Sequence, residues 1–150
     1  MPPAPQSILS VYRRMTIKAV TILRSGHHLQ VLAHVAKRVR ELHEKGFVHR
    51  DIKPGNIIWL PKKHCWTLID FGLSSPLGEV ASTAGTVLFA APEVLRAIIS
   101  DQESIRATPA LDAWSVGILA VIMFTGAHPL EGLDVDEVRT SCFIQEDKST

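Results

Sequence analysis

The chain has 150 residues, of which 46% are apolar and 21% charged, and its formal net charge is +1. This balance is typical of one globular domain, and it argues against a general binder of nucleic acid or of membrane surfaces. The two cysteines, Cys65 and Cys142, form no CxxC pair. We therefore expect no zinc site and an intracellular location, in the cytoplasm or the nucleus.

The N-terminal 27 residues carry the weakest structural signal. The opening Met1-Pro2-Pro3-Ala4-Pro5 suits a flexible tail better than a signal peptide. Residues 6–24 are rich in apolar and β-branched side chains, a pattern that fits either a strand or a short helix. We treat residues 1–27 as a segment of uncertain structure.

An amphipathic helix is predicted over residues 28–45. Apolar side chains recur there at spacings of three and four: Leu29, Leu32, Ala33, Val35, Ala36, Val39 and Leu42. Gly46 follows where helices favour a left-handed residue, so the helix is expected to end there.

A β-hairpin is predicted next. Residues 57–60 and 65–69 are apolar runs separated by Pro61-Lys62-Lys63, which is typical of two paired strands and a turn. Residues 73–90 lack periodicity, as in a long functional loop. The candidate phosphorylation sites of this loop are Ser74, Ser75, Ser82 and Thr83. For each of them, an unmodified flexible loop is an equal alternative.

Helical structure is expected again after this loop. Pro92 suits the first turn of a short helix, and residues 100–110 indicate another loop. The uncharged residues 113–127 are fewer than the ~20 that a membrane-spanning helix needs. We predict instead a buried core helix that starts at Asp112 and places Trp114 in the core, with a further short helix from Asp134.

Two segments flanking the hairpin concentrate charge and oxygen ligands. Residues 49–56 read HRDIKPGN, and DFG follows at residues 70–72. Phosphoryl transfer needs a divalent metal at the phosphates, and Mg²⁺ prefers carboxylate and amide oxygens, which Asn56 and Asp70 supply. Asp51 can orient an acceptor hydroxyl and take its proton, while Lys53 can meet the transferring phosphoryl group.

Together these segments resemble the eukaryotic-type Ser/Thr protein kinases, with their H-R-D-x-x-x-x-N catalytic loop and D-F-G metal-binding loop. The resemblance implies that Asp51 is the catalytic base and that Asn56 and Asp70 hold Mg²⁺. Lys53 points to Ser/Thr specificity. The resemblance also implies an ATP site formed by Lys53, Asn56, Ile58 and Asp70, with Ile58 as the apolar floor under the adenine.

Other residues of the two segments take regulatory or structural roles in this resemblance. Arg50 resembles the arginine that pairs with a phosphorylated activation loop, although a plain surface salt bridge is the alternative. His49 and Phe71 match the internal hydrophobic spine, and Gly72 completes the metal-binding loop.

Later motifs extend the resemblance over residues 28–130. GTVLFAAPE, which begins at Gly85, matches the end of the activation segment. There Thr86 is expected to contact the catalytic base and its lysine. The resemblance implies that Glu93 pairs with an arginine of the family's closing helices, which we expect to be missing from this chain. DAWSVG matches the start of the long buried helix, where Asp112 is expected to hold the catalytic-loop backbone, to cap the helix, or both.

The implied fold is mainly α with a small β-hairpin: the C-terminal, or large, lobe of a protein kinase, truncated at both ends, over residues 28–150. The 27 preceding residues are fewer than the roughly 50 to 60 that a five-stranded small lobe needs, and no G-x-G-x-x-G occurs. We expect the isolated chain to bind ATP weakly and to transfer phosphate slowly.

Three functional hypotheses stay open at this point. The first is a Ser/Thr kinase fragment that uses ATP and Mg²⁺ on a protein substrate. The second is a non-catalytic interaction module that docks a partner or competes for a kinase's substrate. The third is a large lobe that receives its small lobe from another chain. None of them involves nucleic acid or a membrane.

Overall fold

The computed structural model describes residues 26–130, and within them the chain forms three α-helices and six short strands. The helices are α1 (His28–Glu44), α2 (Pro92–Ile99) and α3 (Pro109–Thr125). The strands are β1 (Phe47–Val48), β2 (Ile57–Leu60), β3 (Cys65–Leu68), β4 (Ser75–Pro76), β5 (Val80–Ser82) and β6 (Ser104–Arg106). The predictions for the proline-rich tail, for residues 6–24 and for a helix from Asp134 lie outside the described residues.

The strands pair into three antiparallel two-stranded sheets: β1 with β4, β2 with β3, and β5 with β6. The predicted fold class, mainly α with one hairpin, therefore needs correction, because residues 26–130 mix three helices with three small sheets. Only the β2–β3 pair joins its strands by a short turn, since residues 83–103, including α2, separate β5 from β6. Sequence patterning detected that pair and missed the two pairs that join distant segments.

Helix α1 confirms the prediction made from its periodicity. Val31, Val35 and Val39 lie four residues apart on one face and are buried. They pack in one core cluster with side chains from the segment after β1, the hairpin and α3: Ile52, Ile57, Leu68, Leu119 and Met123. The chain turns after the helix at Gly46, whose φ of +83° is a backbone conformation that glycine adopts without a steric penalty.

The β2–β3 hairpin confirms the predicted strands and their turn. Its register runs from Ile57 opposite Leu68 to Leu60 opposite Cys65. Pro61–Lys63 form a 3₁₀ turn between the strands, and His64 closes it in the left-handed region at φ +46°. The hairpin brings the segment before β2 beside the segment after β3, where both predicted functional motifs lie.

The two predicted loops, residues 73–90 and 100–110, contain strands β4, β5 and β6. Val80 lies opposite Arg106 and Ser82 opposite Ser104. Further backbone hydrogen bonds join the same segments, including Thr83 N–H to Glu103 O at 3.1 Å. The loop of residues 73–90 is thus tied to the segment before α3 rather than lying free on the surface.

Helix α3 begins three residues earlier than predicted. Pro109 occupies its first turn, and Thr108 is the N-terminal flanking residue, so the prediction that Asp112 caps the helix is wrong. Trp114 was predicted to lie in the core, but it is 41% exposed. No helix among residues 26–130 is long and apolar enough to cross a membrane.

Candidate active site

Asp112 anchors the segment that follows β1. Its carboxylate is fully buried in the first turn of α3. One oxygen accepts a hydrogen bond from the His49 backbone N–H and the other from that of Arg50, both at 2.8 Å. His43, in the last turn of α1, lies 2.8 Å from the same carboxylate through Nε2. A buried carboxylate with three partners fixes the backbone just before Asp51.

His49 links the two functional motifs. Its side chain is fully buried, and Nε2 lies 3.2 Å from the carbonyl oxygen of Ile69, which places the proton on Nε2. The other ring nitrogen accepts a hydrogen bond from the Asp51 backbone N–H at 3.2 Å. The His49 ring also packs edge-on against Phe71, with 5.0 Å between centroids. The histidine therefore sets the position of residues 49–51 against residues 69–71.

Three polar side chains converge on the Asp51 carboxylate, and one of them also reaches its backbone. Thr86 donates its hydroxyl hydrogen to Asp51 Oδ1 at 2.7 Å. Lys53 Nζ lies 2.9 Å from Asp51 Oδ2 and donates to Thr86 Oγ1 at 2.7 Å. Asn56 donates from Nδ2 to Asp51 O at 2.8 Å and to Asp51 Oδ2 at 3.1 Å.

This arrangement fixes the orientation of Asp51 and leaves it partly open to solvent. Because Thr86 and Lys53 grip separate carboxylate oxygens, rotation of the side chain breaks at least one charge-assisted hydrogen bond. Lys53 adds a positive charge within reach of any anion that approaches Asp51. A held carboxylate with an adjacent cation suits proton abstraction beside a negatively charged group.

Asn56 and Asp70 lie at adjoining ends of the hairpin. The backbone N–H of Ile69 donates to the Asn56 carbonyl oxygen at 2.9 Å, one step beyond the last strand pair. Since the Asn56 Nδ2 is engaged with Asp51, its side-chain oxygen remains as the acceptor. Asp70 is exposed in a left-handed conformation at φ +60° and accepts a hydrogen bond from Gly72 N at 3.2 Å.

These oxygens fit a magnesium ion better than a transition metal. Amide and carboxylate oxygens are hard ligands, and Mg²⁺ is commonly held by one or two protein groups together with substrate phosphates. Residues 26–130 contain no cluster of three or more His, Cys, Asp or Glu side chains that would form a protein-only metal site. Asn56 and Asp70 would thus hold Mg²⁺ where phosphate oxygens complete its coordination.

Arg50 extends from the segment after β1 to the loop of residues 73–90. It adopts φ +71° and donates from Nη1 to Leu73 O and Ser75 Oγ, both at 2.9 Å. Its Nη2 donates to Ser82 O. Partial burial lowers the pKa of the guanidinium from its ordinary value, while Asp112 opposes that shift. The group remains a cation, because arginine is not deprotonated in proteins.

Two of the predicted site residues stand apart from this cluster. Ile58 lies on β2, half-buried, two residues from Asn56. Glu93 is exposed in the first turn of α2 and forms no ion pair with any residue of 26–130.

Sequence reasoning missed two residues at the site. His43 contacts Asp112 although 69 positions separate them, and nothing in its helical position distinguishes it from a solvent-facing residue. Ser75 was considered only as a phosphorylation site, whereas its hydroxyl accepts a hydrogen bond from Arg50. Both contacts depend on tertiary packing that no local pattern records.

Comparison with known proteins gives consistent matches. Residues 10–148 match the family described as protein kinase domain. The chain is 37% identical over 117 residues to the serine/threonine-protein kinase Kist of Mus musculus, covering 70% of this chain and 28% of that protein. It is 41% identical over 103 residues to the serine/threonine-protein kinase AtPK1/AtPK6 of Arabidopsis thaliana, covering 67% of this chain and 20% of that protein.

A fungal relative has a similar sequence identity to this chain. The serine/threonine-protein kinase STE11 of Saccharomyces cerevisiae is 39% identical over 98 residues, covering 61% of this chain and 13% of that protein. In these three relatives the matched segment spans 28% or less of their own length.

Proposed function

The chain belongs to the protein kinase domain family and is related to its Ser/Thr kinases, and from this premise we propose that it transfers the γ-phosphoryl group of ATP to serine or threonine hydroxyls of protein substrates. One observation carries the proposal. The Asp51 carboxylate is held by Lys53, Thr86 and Asn56 at distances of 2.7–3.1 Å. This is the arrangement that an acceptor hydroxyl needs at the moment of transfer.

The proposed chemistry assigns one task to each group. Asp51 hydrogen bonds to the substrate hydroxyl and accepts its proton as the oxygen attacks the γ-phosphorus and the bond to ADP breaks. Lys53 offsets the charge on the γ-phosphate oxygens, and Thr86 keeps lysine and carboxylate in register. Asn56 and Asp70 hold Mg²⁺, which supplies charge neutralisation at the phosphates when bound.

We further propose that residues 28–130 correspond to the large lobe of the kinase. The catalytic segment, the metal-binding segment and the buried helix α3 occur in the expected order, and Asp112 in α3 anchors the catalytic segment. Within residues 26–130, the side of the site that would face the nucleotide is open. Asp70 is exposed, and Phe71 is 50% exposed. Because these exposed residues enclose little of an ATP molecule, we expect the 150-residue chain to bind it weakly and to turn over slowly.

Transfer of labelled phosphate from MgATP to a generic basic protein tests the activity. The wild-type chain is expected to show slow transfer that Asp51→Asn abolishes, since the amide cannot accept the proton. The matched control is Asp101→Asn, which makes the same chemical change at an exposed residue in a left-handed turn and is expected to retain activity. Transfer that persists undiminished in Asp51→Asn would show that Asp51 is not the base.

A non-catalytic interaction module is the second candidate. Large apolar side chains are exposed on the described part of the chain, including Leu29 at 73%, Val80 at 68% and Phe124 at 61%. Such surfaces favour contact with another protein. Magnesium-dependent binding of ATP separates the two candidates, because only a kinase site requires it. If calorimetry detects no nucleotide binding at millimolar MgATP, the interaction module is the better account.

A further inference from the structure

Arg50 joins the catalytic segment to two separate points of the loop of residues 73–90. Its backbone N–H is fixed by Asp112. Its side chain reaches Leu73 and Ser75 at the start of the loop and Ser82 on β5 in its middle. A single guanidinium thus bridges the start and the middle of the loop, with its own backbone held by a buried carboxylate.

The acceptors that Arg50 has found are all neutral. They are two backbone carbonyl oxygens and the hydroxyl of Ser75, which in turn donates to Leu73 O at 3.4 Å. Within residues 26–130 no carboxylate forms an ion pair with Arg50. Three of the five guanidinium N–H donors are therefore engaged by the unmodified loop itself.

The segments that Arg50 holds are also paired at their backbones. Strand β4, which contains Ser75, pairs with β1 immediately before His49. Leu77 N–H donates to Gly46 O at 2.8 Å, and Gly78 N–H donates to Ala107 O at 2.8 Å. On the other side, Ser82 belongs to β5, which pairs with β6. Arg50 links these two anchored regions through neutral acceptors, without a phosphate group on the loop.

The candidate phosphorylation sites differ in accessibility. Ser74 Oγ is buried and has no hydrogen-bond partner, and Ser75 Oγ is engaged by Arg50. Ser82 is exposed, but it offers Arg50 its carbonyl oxygen rather than its side chain. Modification at Ser82 would leave the existing carbonyl bond in place, so it is not required to recruit Arg50.

We propose that this loop is ordered without phosphorylation, because Arg50 is locked to Leu73, Ser75 and Ser82 in the unmodified chain. The inference rests on the proposed function, because loop order affects activity by keeping Thr86 against Asp51 and Lys53. It concerns the regulation of that site: Ser75, as an acceptor for Arg50, helps to order the loop without prior phosphorylation by another kinase.

Amide hydrogen exchange on the 150-residue chain, dephosphorylated and shown by mass spectrometry to carry no phosphate, tests this. The amides of Leu77, Gly78 and Thr83 are expected to be protected in the wild-type chain. In Arg50→Gln they are expected to exchange at least about tenfold faster, because local opening no longer breaks the bridge. Ser75→Ala removes one acceptor and is expected to cause a smaller increase, about two- to fivefold.

Two controls separate local opening from general loss of structure. Ser82→Ala leaves the carbonyl acceptor unchanged, and loop exchange is expected to match wild type. The amide of Val35 in the core of α1 reports whether each variant remains folded, and if Arg50→Gln does not fold, Ser75→Ala still decides the question. Exchange is read without ATP or substrate, so a failed kinase assay and a failed loop prediction are distinct results.

The outcome that overturns the proposal is equally specific. Loop amides of the dephosphorylated wild type would exchange at unprotected rates and become protected only after phosphate is added to the loop. The same conclusion would follow if Arg50→Gln and Ser75→Ala both left loop exchange unchanged while Val35 stayed protected.

Discussion

Replacing Asp112 should destabilise the chain by an amount that grows with the number of its hydrogen bonds that are lost. Three donors converge on its two oxygens: the backbone N–H groups of His49 and Arg50, and Nε2 of His43. In Asp112→Asn the best amide orientation keeps two of these donors paired and sets its NH₂ group against the third. Leaving one buried donor unpaired and removing the charge costs about 2–3 kcal/mol in free energy of unfolding.

Asp112→Ala removes all three acceptor interactions at a site with no solvent access. By the cost of breaking a buried charged pair, the expected loss is about 3–5 kcal/mol. Guanidinium denaturation followed by circular dichroism measures both changes. Asp101→Asn, the same substitution on an exposed turn, should stay within about 0.5 kcal/mol of wild type. If Asp112→Ala also stays within about 1 kcal/mol, Asp112 does not anchor the catalytic segment.

Two further substitutions test the site and its surroundings. Thr86→Val keeps the shape of the side chain but removes the hydroxyl between Lys53 and Asp51, so kcat should fall about 10- to 100-fold, as for loss of hydrogen bonds to charged groups. Thr86→Ser keeps the hydroxyl and should retain most of kcat. Equal kcat values for the Thr86→Val and Thr86→Ser variants would contradict the assigned role. Arg38 lies 2.7 Å from Glu41 and holds the pKa of that carboxyl below its ordinary value, mainly by hydrogen bonding. The ion pair's contribution to stability is present above the ordinary pKa of glutamate and is lost as pH falls through the lowered value. Arg38→Gln removes the partner and should raise the pKa of Glu41, measured by NMR titration. An unchanged titration midpoint for Glu41 would rule out the interaction.

Local patterns predicted the elements whose causes are local. The apolar face of α1 recurs every three or four residues, Gly46 supplies the left-handed turn after it, and the β2–β3 hairpin connects neighbouring strands through a proline-containing turn. These features need only short-range information. They were confirmed with shifts of one residue at the ends of α1 and β3.

The errors arise where structure depends on distant partners. Strands β5 and β6 have three residues each, too few for alternation to identify a strand, so their pairing was not visible from either segment alone. In α3, apolar residues surround the helix on all sides, and the pattern does not say that Trp114 faces outward. The start of α3 was misplaced because Asp112 resembles a cap, whereas its carboxylate turns inward to residues 49 and 50.

The same division holds at the candidate site. Residue types and spacing within residues 49–56 and 70–72 identified groups suited to phosphoryl transfer. Their mutual contacts could not be read from spacing: Thr86 reaches Asp51 across 35 positions. The resemblance to protein kinases, rather than any periodicity, led to the expectation for Thr86. Nothing in the sequence indicated His43 or the engagement of Ser75 by Arg50.

The central claim is that Asn56 and Asp70 hold a divalent metal beside the Asp51 carboxylate. It is tested most directly by NMR of the labelled chain with ATP and Mn²⁺, which broadens signals close to the metal. The account predicts broadening centred on residues 51–56 and 70–72 in the wild-type chain and in Asp101→Asn, and its loss in Asp70→Asn. Broadening that is absent, that lies elsewhere, or that persists in Asp70→Asn would contradict the account.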